Sequence, residues 1–159
     1  MFNRRAVVLV ALALAACARR EPDVPVIGRF TVPQFSTLRW IEGTWRGRLP
    51  DGGAFYERYR LVDDSTIAMQ SFADSTLSVT SDSGRIALRD GTIADEGGAA
   101  RWGATRVDST GVEFAPMTGA TNGFTWTKDR GDRWTATLIW TDKDGRLRTV
   151  VYPMERIAP

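Results

Sequence analysis

The chain has 159 residues, 43% of them hydrophobic and 25% charged, enough for one globular domain with a buried core and unlike a disordered, collagenous or multi-span membrane chain. Its 21 basic and 19 acidic residues become 19 and 19 once Arg4 and Arg5, the only charges before Cys17, are set aside, so the remainder has no electrostatic footprint for a nucleic acid. Histidine is absent, which excludes histidine-based catalytic triads and histidine-ligated zinc or haem.

Met1 to Arg5 is a short basic start, and an eleven-residue apolar run follows from Ala6 to Ala16. As a helix that run rises about 16 Å, half of the ~30 Å hydrocarbon core, so residues 1–16 suit an export signal and not a membrane span. The run closes on Leu14-Ala15-Ala16-Cys17, which resembles the lipobox of bacterial lipoprotein signals. That resemblance implies cleavage before Cys17, a diacylglyceryl group on its sulfur and acylation of the new amine. Two or three acyl chains hold a membrane durably, where one does so only marginally. The alternative is an ordinary secreted protein with a free thiol. Cys17 is the only cysteine, so no intramolecular disulfide can form and stability must come from packing. Alanine at position 18, where aspartate would retain a sorted lipoprotein, implies the outer membrane and its periplasmic face.

Pro22, Pro25 and Pro33 punctuate the next stretch, so residues 17–33 read as the lipidated cysteine and an extended tether. The folded domain is then expected over residues 34–159. Its only helix-like pattern is Phe35, Leu38 and Ile41, spaced by three before Gly43, which predicts a short lid or plug at one end of a sheet.

Beyond that point turn residues recur regularly, among them Asp51-Gly52-Gly53, Asp63-Asp64, Asp82-Ser83-Gly84, Asp90-Gly91, Glu96-Gly97-Gly98, Asp108-Ser109-Thr110-Gly111, Arg130-Gly131-Asp132 and Asp142-Lys143-Asp144-Gly145. Between them lie runs rich in Thr, Val, Ile and aromatics that alternate in polarity, as a half-buried strand requires. Trp134 to Thr141 is the clearest, with Trp134, Ala136, Leu138 and Trp140 on one face and Thr135, Thr137, Ile139 and Thr141 on the other. No helix-length amphipathic run interrupts the series, which disfavours parallel crossover folds. The fold class expected is therefore all-β, an antiparallel up-and-down barrel of about ten strands, closed so that no edge strand is left unpaired. A two-layer sandwich is the alternative.

The segment Leu38-Arg39-Trp40-Ile41-Glu42-Gly43-Thr44-Trp45-Arg46-Gly47 resembles the start of the calycin barrels: lipocalins, fatty-acid-binding proteins and nitrobindin-like domains. They share a helical turn, a Gly-x-Trp on the first strand, and an arginine near the last strand packed over that Trp. The resemblance implies that Trp45 and Arg156 close the barrel, an indole sealing the narrow end and a guanidinium laid on its face. The spacing is also similar to a bacterial family of small exported domains in which Trp-Leu-x-Gly-x-Trp precedes Glu-x-aromatic, matched here by Glu57-Arg58-Tyr59. The chain ends at Pro159, without the helix that follows the lipocalin barrel, so the ten-stranded relatives are the better match. The iron-ligating histidine of the nitrobindin-like domains has no counterpart. Nor does the Arg-x-Tyr clamp of the fatty-acid-binding proteins, since Tyr152 follows Arg148 by four.

A ten-stranded barrel has room for a ligand, filling side chains or water. With Trp45 inside, alternation puts Gly43, Gly47 and Leu49 inside, and Arg46 and Arg48 outside. On the next strand Phe55, Glu57, Tyr59 and Leu61 form the more apolar face, which buries Glu57 and makes it the leading polar anchor; a solvated carboxylate or internal salt bridge is the alternative. The candidate ligand-binding set is Glu57, Tyr59, Arg148, Met69, Trp126 and Trp140. Arginine recurs at i, i+2 in Arg46/Arg48, Arg58/Arg60 and Arg146/Arg148, on strands that a closed meander makes neighbours, so the pairs can meet in one basic patch. Whether Arg146 and Arg148 face inward depends on a bulge at Pro153.

No catalytic residue, metal site or cofactor is expected. The hydroxyls lack a histidine base, and Glu57 and Glu113 are the only candidates for an internal carboxylate pair. The function expected is a lipid-anchored outer-membrane lipoprotein whose barrel binds a small hydrophobic or amphipathic molecule. Its partners are the membrane through Cys17 and that molecule, with no nucleic acid. Two alternatives stay open: a structural or protein-interaction module with a filled barrel, and a minor enzyme built on Glu57.

Overall fold

The computed structural model describes residues 25–157; the predicted export signal and Cys17 lie outside the described residues. A short helix α1 (Val32–Ser36) runs into a 3-10 turn (Thr37–Ile41) and then into ten strands. These are β1 (Gly43–Arg48), β2 (Ala54–Asp63), β3 (Thr66–Phe72), β4 (Thr80–Arg89), β5 (Thr92–Asp95), β6 (Trp102–Asp108), β7 (Gly111–Pro116), β8 (Asn122–Lys128), β9 (Arg133–Thr141) and β10 (Leu147–Arg156). Each strand pairs antiparallel with its sequence neighbours, and β10 returns to pair with β1, so the sheet is a closed ten-stranded barrel. The seam registers Trp45 with Arg156, Arg46 with Glu155 and Gly47 with Met154.

The helical segment starts at Val32, earlier than the apolar spacing alone indicates. Gln34 Oε1 accepts from the Thr31 backbone N–H at 2.9 Å, and Pro33 sits in the first turn, where a missing N–H costs nothing. The prolines therefore do not keep the chain extended up to residue 33. Gly28 N–H already donates to Ala104 O at 2.8 Å and Phe30 N–H to Gly91 O at 2.7 Å, so residues 28–31 lie against the barrel. The spacing by three suits the 3-10 turn, whose side chains eclipse every third residue, and it stacks Phe35, Leu38 and Ile41 inward, each 1% exposed.

The two ends of the barrel differ. At the helical end, β2–β3, β4–β5 and β6–β7 are joined by the short turns 64–65, 90–91 and 109–110. Phe35, Leu38, Ile41, Trp45, Trp134 and Met154 fill this end completely. At the other end the connections are longer, 49–53, 73–79, 96–101, 117–121 and 142–146, and they surround a mouth. Inward side chains there, including Phe55, Met69, Trp102, Phe124 and Tyr152, are only partly buried. Packing is thus graded along the barrel, solid below and hollow above.

Two local readings change. Asp82-Ser83-Gly84 is not a turn; it lies within β4, opposite Ser71, Gln70 and Met69 of β3. And β10 keeps an unbroken register with β9 from Leu147 to Glu155, so Pro153 introduces no bulge and alternation from Arg156 carries through to Arg148.

Candidate functional site

Trp45 is buried in the closed end, and its indole N–H donates to Ile41 O at 2.7 Å. Arg156 lies over it, with the guanidinium carbon 4.2 Å from the ring centroid. The same guanidinium donates to Glu42 O at 2.7 Å, to Trp40 O at 3.4 Å and to Asp132 Oδ1 at 3.0 Å. One cation therefore ties the 3-10 turn, the β8–β9 connection and the barrel seam together, using both the flat face and the fork of the guanidinium.

Above this floor the upper half of the barrel encloses a cavity of about 410 Å³, within the range of small-molecule sites. Glu57, Tyr59, Met69 and Trp126, four of the six residues singled out from the sequence, line it. So do Phe55, Trp102, Phe124 and Tyr152, which with Tyr59 and Trp126 bring six aromatic rings to its wall. The rings meet mainly edge to face: Tyr59 and Trp126 at 5.5 Å, Phe55 and Tyr152 at 5.7 Å, Trp102 and Phe124 at 5.7 Å. Trp102 is anchored by its indole N–H to Asn122 O at 2.7 Å. Gly47, an inward position of β1, does not widen the lumen; a Cβ there would lie 2.1 Å from the Phe55 ring, which occupies that space.

Glu57 is the polar centre of the cavity. The hydroxyl of Tyr59, a residue only 2% exposed, donates to Glu57 Oε2 at 2.6 Å. Loss of water pushes the Glu57 carboxyl pKa up from its ordinary value, and the Tyr59 bond pulls it part of the way back. Burial, then the Glu57 charge, holds the Tyr59 phenol well above its usual range, so it stays a donor. A second carboxylate, Asp95, lines the same space. Burial raises its pKa too, against a bond from Gly97 N–H at 2.9 Å.

Arg148 and Trp140 stand apart from this group. Both fall on the inward face by alternation, as partners across β9 and β10, but at the level of the mouth. There Arg148 is half exposed, and its Nε donates to Asp142 Oδ2 of the β9–β10 connection at 2.7 Å. Glu113 is directed away from Glu57 as well, bonded at 3.0 Å to Arg106. The internal acid that shares space with Glu57 is Asp95. It follows Ile93 by two, and Ile93 is fully buried, so the alternation Thr92-Ile93-Ala94-Asp95 held the signal.

The three arginine pairs do not all converge: Arg46/Arg48 and Arg58/Arg60 share the outer face of the adjacent strands β1 and β2, and Arg148 lies apart. Arg46 and Arg48 are exposed on the outer face of β1, and Arg58 lies outside on β2 with its guanidinium 4.9 Å from the Phe72 ring centroid. Arg148 is on the inward face near the mouth, well along β10 from Glu155, the partner of Arg46. Among the described residues no three His, Cys, Asp or Glu side chains gather as a metal site. The sequence matches no protein-family model and no curated protein.

Proposed function

We propose that this chain is a bacterial envelope lipoprotein, held by acyl groups on Cys17 at the periplasmic face of the outer membrane, whose calycin-like barrel carries a small hydrophobic or amphipathic molecule noncovalently. The observation that carries the binding reading is the cavity of about 410 Å³, open to the mouth, lined by aromatic rings and furnished with a hydrogen-bonded Glu57–Tyr59 pair. A filled structural barrel has no use for such a volume, because a lining without packing partners forfeits dispersion energy. The anchor reading is supported by Leu14-Ala15-Ala16-Cys17 behind a basic start and a short apolar run. The calycin reading is supported by Gly43-x-Trp45 with Arg156 laid over the indole.

Native mass spectrometry of protein freshly isolated from its own host tests the carrier. A copurifying apolar molecule is expected, and a bare mass under conditions that retain known ligands of other barrels counts against it. The anchor is read from the mass of the N-terminal peptide. A diacylglyceryl addition at Cys17 is expected, with loss of membrane retention in Cys17→Ser; an unmodified thiol rejects it.

A further inference from the structure

Building on the reading of the barrel as a ligand carrier, we propose that the cavity selects an organic cation: an amine whose ammonium group docks on Glu57 and Asp95 while its apolar part lies among the aromatic walls. The charge balance of the lining leads there. Two carboxyl groups, Glu57 and Asp95, face the space, and no arginine or lysine lines it. Glu57 Oε2 is taken by the Tyr59 hydroxyl, whereas Oε1 has no hydrogen-bond partner among the described residues, and Glu57 makes no ion pair there. A carboxylate drawn partly out of water without a bonded counter-ion is costly, so a cation arriving with the guest relieves a penalty already built into the empty protein.

The remaining surface fits the same guest. Trp102, Trp126, Phe124 and Phe55 present ring faces or edges to the cavity, and an ammonium within about 6 Å of a ring centroid is attracted to its face. An anionic guest finds the opposite. The Tyr59 proton is committed to Glu57 and the Trp102 indole N–H to Asn122 O, which leaves the Asn122 amide, the Tyr152 hydroxyl and the Trp126 indole N–H as side-chain donors, and two carboxylates repel it. The guanidiniums that would hold a carboxylate are elsewhere: Arg148 is bound to Asp142 at the mouth, and Arg46 and Arg48 are outside the barrel. Arg101 is the one cation that acts on Asp95, where it works against burial, the largest influence, and against the charges of Asp82 and Glu96.

The test is calorimetric titration of the purified full chain in lipid nanodiscs, with empty nanodiscs subtracted. Three guests share one phenethyl group and differ in the head group it carries, cationic, neutral or anionic: phenethylamine, phenethyl alcohol and phenylpropanoate. The amine is expected to bind at least about tenfold tighter than the alcohol, and the carboxylate weakest. Glu57→Gln, which keeps shape and the Tyr59 contact, is expected to cost the amine about tenfold while leaving the alcohol nearly unchanged; Asp95→Asn should give a smaller loss of the same sign. Equal affinities for amine and alcohol, or a preference for the carboxylate, overturn cation selection but leave a carrier. Failure of all three guests to bind folded protein overturns the carrier as well. If Glu57→Gln does not fold, the ranking of the three guests on the wild type and on Asp95→Asn decides.

Discussion

Arg156 and Trp45 are direct partners across the seam of the barrel, and the guanidinium carbon of one sits 4.2 Å from the ring centroid of the other. Because that guanidinium also donates to Glu42 O, Trp40 O and Asp132, its replacement removes several contacts at once. Arg156→Lys keeps the charge and loses the fork. It is expected to lower unfolding free energy by about 2–3 kcal/mol in urea titrations followed by tryptophan fluorescence. A change within error would show that the fork is not what fastens the 3-10 turn.

Gly43 is held at φ 138°, and a Cβ on it would lie 1.9 Å from Arg156 Nη1. Gly43→Ala should therefore destabilise twice over, by backbone strain of about 1–3 kcal/mol and by driving Arg156 from the indole. The two parts are separable. In an Arg156→Ala background the clash is gone, so a double-mutant cycle is expected to show coupling of about 1 kcal/mol or more, and simple additivity would reject the clash.

The carboxyl of Glu57 has its pKa raised by burial above the ordinary 4.5, so the folded state favours its protonated form. Its contribution to stability is complete below pH 4.5 and is lost as pH rises through the higher folded-state value. Asp95 acts with the same sign, from an ordinary value of 3.8. Asp108 and Asp142 act oppositely. Hydrogen bonds from Thr110, and from the Arg146 backbone and the Arg148 side chain, hold them below 3.8, so their contribution is present above that value and disappears as pH falls through the lower folded-state one. Glu57→Gln should accordingly flatten the decline in stability above pH 4.5 and leave the acid limb unchanged. Urea midpoints measured from pH 3 to pH 8 check both limbs.

Leu138 lines the cavity from β9 without belonging to the packed lower core. Leu138→Trp should occupy much of the free volume and abolish guest binding while the far-UV circular dichroism of the barrel persists. Full binding by this variant would place the guest elsewhere.

The barrel could be read from alternation and turn chemistry because both are local: Trp134 to Thr141 shows its two faces in eight residues, and Asp51-Gly52-Gly53 and Asp142 to Gly145 mark real hairpins. Asp82-Ser83-Gly84 misleads because the same residue types also suit an exposed strand near the mouth, where a missing side chain at Gly84 leaves room for Met69 and Asp95. Glu57 follows from parity along β2. The inward side of Asp95 follows from its parity with Ile93 on β5, but its approach to Glu57 is made by closure of the ring, which no local pattern records. Arg148 shows the complementary failure: parity gives the correct face, but the depth of a residue along the barrel depends on strand stagger.

The contact from Arg156 to Glu42 spans 114 positions of sequence, nearly the whole domain. Until β10 is in hand, β1 and β2 to β9 form an open ribbon with two exposed edges, and the entropy of joining such distant segments falls on one late event. Assembly should therefore be slow for a chain of this size, and the quenching of Trp45 as Arg156 arrives would time the moment at which the ribbon becomes a ring.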